Sequence, residues 1–191
     1  MIFEAIITST NVDGSSHIAP FGTREQDGMV LISPFRPSAS LDNLLRSRNA
    51  VVNLTDDVRV FAGCLTGRRN WPVRSADKVQ GWVLDGALSH RELELVETRE
   101  DTVRPDLLFK VTHEKTHMPF HGFNRAQAAV IEASVLVSRL HMLPEERIRT
   151  ELKYLSIAVE KTAGEREWQA WSWLMETIEN FYAEQSGGNQ A

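Results

Sequence analysis

Turn residues cut the first half of this chain into short β-branched runs, and that punctuation constrains the fold more than any other feature. A run at residues 4–10 meets Asn11-Val12-Asp13-Gly14 and resumes as His17-Ile18-Ala19-Pro20-Phe21-Gly22. A second turn at Gln26-Asp27-Gly28 leads into Met29-Val30-Leu31-Ile32. Gly and Asn tolerate positive φ, so both breaks have a turn mechanism. Arg36-Pro37-Ser38-Ala39-Ser40-Leu41-Asp42-Asn43-Leu44 then opens a short helix, and Ala50-Val51-Val52-Asn53-Leu54 returns as a strand. The segment reads as a strand meander that carries small hydroxyls, an arginine and an asparagine to a helix start.

Further strands are expected at residues 86–98 and 106–116. In the second, Leu107, Phe109 and Val111 alternate, which buries one face and leaves the other polar. Between them and the meander, Val58, Val60 and Phe61 either open a short helix or continue a strand. Residues 68–74 carry three arginines and read as an exposed, solvated loop, with contact to an anion as the alternative. Near residue 122 the pattern turns helical. Asn124 is a good N-cap for a helix over 125–140. Pro144 and Gly164 bracket a second helix with apolar residues Ile148, Leu152, Leu155 and Val159. A third, over 165–184, carries Trp168, Trp171, Met175, Ile178 and Tyr182 at 3-4 spacing, a core or interface stripe. Residues 186–191 are polar and Gly-rich, so a frayed tail is expected.

The helix at 125–140 is apolar almost all round, which predicts burial on most sides. Arg125, Glu132 and Arg139 fall seven apart, on one face. Charges on a buried helix must be paired, so the stripe reads either as a structural salt-bridge network or as the polar wall of a substrate pocket.

A net charge of −5 argues against general nucleic-acid binding, which needs a basic patch. No apolar run approaches the roughly 20 residues that span a bilayer. The opening Met1-Ile2-Phe3-Glu4 lacks the basic region of a secretory signal. One cysteine, Cys64, excludes an internal disulfide and fits a reducing compartment. The expectation is a cytoplasmic protein with neither membrane nor nucleic-acid partners.

The residues bear on three kinds of chemistry. The first is anion binding: Ser40 is placed to cap a helix over 41–46, whose first-turn N–H groups lack internal partners and carry partial positive charge. Ser38, Ser40 and Asn43 add neutral donors and Arg36 a full charge, while Asp42 opposes an anion unless it points outward. On spacing alone, an ordinary serine cap without ligand is the simpler reading. The second is metal binding: His113, His117 and His121 are spaced by four, but Pro119 and Gly122 break any helix. Residues four apart on a strand are separated by about 13 Å, too far for one ion, so no metal site is expected. His90 and His141 read as surface residues or satisfied partners. The third is nucleophilic catalysis, for which neither a G-x-S-x-G elbow nor a P-loop is present. The apolar setting of Cys64 reads as a buried small hydrophobe.

Taken in order, Thr10-Asn11-Val12-Asp13-Gly14, His17-Ile18-Ala19-Pro20-Phe21-Gly22, Ser38-Ala39-Ser40-Leu41-Asp42-Asn43-Leu44 and Val51-Val52-Asn53 resemble the FMN-binding split-barrel superfamily of flavin reductases, flavoredoxins and pyridoxamine-phosphate-oxidase-like proteins. Over residues 2–181 the chain resembles a poorly characterised archaeal and bacterial family with a helical C-terminal region, through Gly122-Phe123-Asn124-Arg125-Ala126 and Ala129-Val130-Ile131-Glu132-Ala133. The resemblance implies an α+β fold: an antiparallel, Greek-key split β-barrel over 1–122, a three-helix region over 123–185 and the tail at 186–191. It implies a homodimer with FMN in a groove between subunits. Ser38, Ser40 and Asn43, with Arg36, would face the phosphate. His17, Ala19, Pro20, Phe21 and Gly22 would line the ring, and Asn53 would lie near the ribityl chain or phosphate. The position of Ser40 is often Thr in such reductases. The implied function is an FMN-dependent oxidoreductase acting on a small cytoplasmic substrate, linked to methanopterin-type one-carbon metabolism. The alternative is a flavin-binding or structural homodimer without turnover.

Overall fold

The computed structural model describes residues 1–188 and divides them into two compact units, one of residues 1–56 and 70–120 and the other of residues 57–69 with 121 onward. In the first unit, β1 (Ile2–Thr10), β2 (Ser16–Gln26), β3 (Met29–Ile32), β4 (Asn49–Leu54), β7 (Ser89–Arg99) and β8 (Asp106–Thr116) form a closed antiparallel barrel in the order β1-β2-β3-β8-β7-β4. α1 (Ala39–Ser47) lies between β3 and β4, and β5 (Val73–Ser75) with β6 (Trp82–Leu84) makes a separate two-stranded sheet. The second unit holds α2 (Arg59–Leu65), α3 (Arg125–Val137), α4 (Glu145–Thr162) and α5 (Glu165–Gly188).

The barrel follows from the meander. Asp27 and Gly28 both have positive φ, the type I′ geometry that matches the twist of a two-residue hairpin. Alternation then places Ala5, Ile7, Val30, Ile32, Val52, Leu93, Leu95, Leu107 and Phe109 in one interior cluster. Leu41 and Leu44 of α1 join that cluster, so α1 plugs the barrel with its apolar side. β2 pairs with the whole length of β1, from Ile2↔Arg24 to Thr10↔Ser16, but with β3 only over Thr23–Gln26. Likewise β8 pairs with β3 only over Leu107–Phe109. The ring is therefore split at one end, where no strand among the described residues flanks 16–22 of β2 on the side away from β1.

Residues 57–69 depart from the expected 1–122 barrel. They form helix α2, the first of the two readings left open, because Val58 and Ala62 pack with the apolar residues of α3, α4 and α5. The arginines expected in a solvated loop are engaged. Arg68 donates to Glu176 at 3.1 Å and lies over the Trp173 ring, and Arg69 donates to the Cys64 carbonyl at 3.2 Å. In the helical unit Asn124 caps α3, its Oδ1 accepting from Ala126 N–H at 2.7 Å. α3 is not buried all round: Arg125, Glu132 and Arg139 lie on an exposed face and form no ion pair among the described residues. Three residues thus need neither the network nor the pocket wall expected of them, because water solvates them. Trp171, Ile178 and Tyr182 of the α5 stripe are core, while Trp168 is 44 % exposed. α5 runs through residue 188, and the rest of the expected tail, 189–191, lies outside the described residues. No helix among the described residues is long and apolar enough to cross a membrane.

Cys64 is buried, and burial pushes its thiol up to about 11, with Arg69 partly opposing. The thiolate is the reactive form. At pH 8 the native protein should therefore react with a chromogenic disulfide reagent on the order of 100-fold more slowly than the urea-unfolded chain. Equal rates would show that Cys64 is accessible.

Candidate functional site

The split end of the barrel brings part of the motif segment together. Ser38, in extended backbone, is the N-cap of α1, and its Oγ accepts from Leu41 N–H at 3.2 Å. The helix therefore starts two residues earlier than the serine cap expected at Ser40. With the cap at Ser38, Ser40 falls in the first turn on the barrel side, 7 % exposed, and its Oγ lies 2.9 Å from His17 Nε2 of β2. Asp42 is exposed, which answers the objection raised by its charge. The start of α1 thus presents the Ser38 and Ser40 hydroxyls, the His17 ring and first-turn N–H groups, while the carboxylate of that turn, Asp42, is exposed.

Asn43 is on the same helix but holds structure. Its Nδ2 donates to Asn11 Oδ1 at 2.8 Å and to Ser9 Oγ at 3.5 Å, and its Oδ1 accepts from Arg46 at 3.1 Å. Arg46 also donates to the Thr10 carbonyl. These bonds clamp α1 to the β1–β2 turn, fixing where the Ser38 and Ser40 hydroxyls stand.

The β2 residues His17, Ala19 and Phe21 share the interior face, and Phe21 packs against the barrel core. Ala19, Pro20, Phe21 and Gly22 are each half-buried on the unflanked stretch of β2. Gly22 has a packing reason to be glycine: a Cβ there would stand 2.8 Å from Ile2 Cγ2.

Two residues of the motif segment are not brought to this end. Arg36 is exposed and its guanidinium pairs with Glu100 at 2.9 Å, so its charge is engaged by a carboxylate. Asn53 is fully buried between the barrel and β6. Its Nδ2 lies 3.2 Å from the Ile6 carbonyl, 3.2 Å from Thr8 Oγ1 and 3.3 Å from the Val51 carbonyl, and its Oδ1 accepts from Leu84 N–H at 2.8 Å. Both the nitrogen and the oxygen of that amide thus have partners inside the unit. A separate cavity of about 240 Å³, lined by residues including Phe3, Thr23, Leu54 and Arg91, lies at the other end of β1 and β2 and is lined by none of the residues expected to hold the cofactor.

A second polar centre escaped the sequence reading. His90 and Glu92 of β7 are both fully buried, with His90 Nε2 3.2 Å from Glu92 Oε1. Burial acts to raise the Glu92 carboxyl, but the N–H groups of Val79, Asp77 and Lys78, at 2.8, 2.6 and 2.7 Å, outweigh it and hold the group below the usual carboxylate range. His90 Nδ1 lies 2.8 Å from His117 Nε2, with the rings stacked, and Arg74 donates to that same nitrogen at 2.9 Å. Burial, then the Arg74 charge, hold the His117 imidazole below its ordinary value. His113 Nε2 and Asp77 Oδ2, 3.4 Å apart, complete the cluster. The signal available in sequence was His90-x-Glu92, two residues on one strand face; what could not be seen was the β7–β8 register that sets Glu92 opposite His113.

The chain is similar to known proteins along most of its length. The family model described as Protein of unknown function (DUF447) N-terminal domain matches residues 3–118, and that described as Protein of unknown function (DUF447) matches residues 124–176. No curated protein matches the sequence. Among solved structures, the FMN-bound DUF447 protein of Methanosarcina mazei superposes with a TM-score of 0.81 at 19% identity, over 92% of this chain and 94% of that one. A 2-nitrobenzoate 2-nitroreductase of Pseudomonas fluorescens gives 0.52 at 16% identity, over 60% of this chain and 64% of that one. A flavin reductase-like protein of Haemophilus somnus gives 0.51 at 16% identity, over 60% of this chain and 80% of that one. At these identities the likeness establishes the split-barrel fold.

Proposed function

The chain belongs to the DUF447 family, and on that footing we propose that it is an FMN-binding flavoprotein that works as an oxidoreductase. The observation that carries the proposal is the donor set at the start of α1, standing beside an unflanked stretch of β2 in a fold shared with an FMN-bound protein. The residues fit the cofactor. A phosphate needs donors and a positive field; Ser38, Ser40, His17 and the α1 terminus supply both, and Asp42 of the first turn is exposed. A planar ring with amide-like edges needs backbone donors and acceptors, which half-buried Ala19, Pro20, Phe21 and Gly22 offer.

Within this reading Ser38 and Ser40 hold the phosphate, His17 orients the Ser40 hydroxyl, and Asn43 with Arg46 keeps α1 in place. Asn53 and Arg36 are assigned no contact with the cofactor. When bound, FMN supplies the redox chemistry, which accounts for a site without a nucleophile. The protein is read as a cytoplasmic homodimer that draws on nicotinamide or another reduced carrier and serves a small molecule, with a pterin of one-carbon metabolism as the substrate class.

The test is an FMN titration of the purified protein, followed by flavin absorbance and fluorescence. Saturable binding at micromolar FMN is expected, and Ser40→Ala should weaken it by about tenfold or more, the worth of one hydrogen bond to a charged group. Absence of binding at micromolar FMN would overturn the proposal. Binding with no reduction by any reduced carrier would leave a flavin carrier rather than an oxidoreductase.

A further inference from the structure

We propose that Asp77, His90, Glu92 and His113 form a binding site for one divalent transition-metal ion of the zinc class, independent of any flavin. Arg74 can only donate, so His117 Nε2, 2.9 Å from it, must accept. His90 Nδ1, 2.8 Å from the same nitrogen, must then donate as well. That leaves His90 Nε2 facing an oxygen of an ionised carboxylate at 3.2 Å, inside the protein and out of water. Two lone pairs cannot face each other there; a cation stands between them, either a proton or a metal ion.

The neighbours favour a metal ion. His113 Nε2 is a buried nitrogen with no hydrogen-bond partner among the described residues, 3.4 Å from Asp77 Oδ2. A tetrahedral ion with bonds of about 2.0–2.2 Å has ligand–ligand edges of about 3.4 Å. The His90–Glu92 and His113–Asp77 pairs are two such edges, and all four ligand atoms lie within 4.8 Å of one another. Closing the longer separations is left to Asp77 and His113, whose side chains are 38% and 27% exposed. Lys115 Nζ, 3.4 Å from Asp77 Oδ2 and half-exposed, would turn outward.

The support expected around a metal is already built. A ligating histidine normally donates its other ring N–H to a fixed partner, as His90 does to His117. Glu92 Oε1 keeps a bond from Asp77 N–H, and Oε2 keeps those from Lys78 and Val79 N–H, which hold the carboxylate in place. Two imidazoles and two carboxylates suit zinc-class ions over magnesium or calcium. Four protein ligands and no open position make the site structural, tying the 77–79 turn to β7 and β8.

The test uses the full chain, stripped with chelator and titrated with Zn²⁺ against a chromophoric competitor. One zinc per chain is expected at sub-micromolar affinity, not displaced by excess Mg²⁺. His113→Ala and Asp77→Asn each alter a partly exposed ligand and should weaken binding at least tenfold with an unchanged circular dichroism spectrum. His121→Ala, outside the cluster, should bind as the parent does. If one variant fails to fold, the other decides. No saturable zinc binding, or binding that survives both substitutions, overturns the proposal and leaves His90 and Glu92 as a buried hydrogen-bonded pair.

Discussion

Glu92→Ala is expected to destabilise the barrel unit by about 3–5 kcal/mol, the usual cost of removing one partner from a buried, charge-bearing network. Four groups lose their acceptor together: the N–H groups of Asp77, Lys78 and Val79, and His90 Nε2. The collapsed side chain admits no replacement acceptor, because His90 and Glu92 are both fully buried. The 77–79 turn then has nothing holding it to β7, and Val79 loses its seat against Val51 and Val83. Glu92→Gln keeps the shape and one acceptor oxygen, so it should cost less than alanine. Urea unfolding with chelator present, so that metal cannot contribute, gives the difference from the midpoints. A loss below about 1 kcal/mol would place the network among dispensable polar contacts.

The second large effect concerns Asn53, which resemblance alone assigns to the cofactor. Asn53→Leu should cost about 2–4 kcal/mol, because orphaning a buried polar group costs roughly 1–3 kcal/mol and more than one is orphaned here. Leu84 N–H loses its acceptor, and the Ile6 carbonyl and Thr8 Oγ1 lose a donor. The cost falls where β6 meets β1 and β4, not at the α1 start. FMN affinity of the folded variant should therefore match the parent within a factor of about two. Stability equal to the parent, with FMN binding lost, would reverse the assignment and return Asn53 to the cofactor.

Local chemistry was legible in the sequence, and long-range register was not. The Asp27-Gly28 turn adopts the positive φ values its residues favour. The alternation of Leu107, Phe109 and Val111 sits on a strand with the predicted limits, Asp106–Thr116. Asn124 caps the helix it was expected to cap. Where two local solutions compete, the sequence cannot choose: Ser38 and Ser40 are both good caps, and the choice rests on Ser40 reaching His17, a residue 23 positions away. Exposure was misjudged on α3, since an apolar run says how much surface wants burial but not which face finds a partner. The histidine cluster was out of reach for the same reason. His113 and His117 are too far apart for one ion, but His90 from the neighbouring strand contacts His117 at 2.8 Å and stacks on its ring, and its other nitrogen meets Glu92. Cross-strand register puts those groups together, and Asp77 enters from a turn that no periodicity marks.

If the start of α1 holds the phosphate of a bound flavin, riboflavin is the sharpest probe of that contact, because it lacks only that group. Parallel titrations of the same protein with FMN and with riboflavin should give FMN the tighter binding by about 100-fold or more, as two hydrogen bonds to a charged group would contribute. The gap should narrow in Ser40→Ala. Equal affinity for the two flavins would contradict the account.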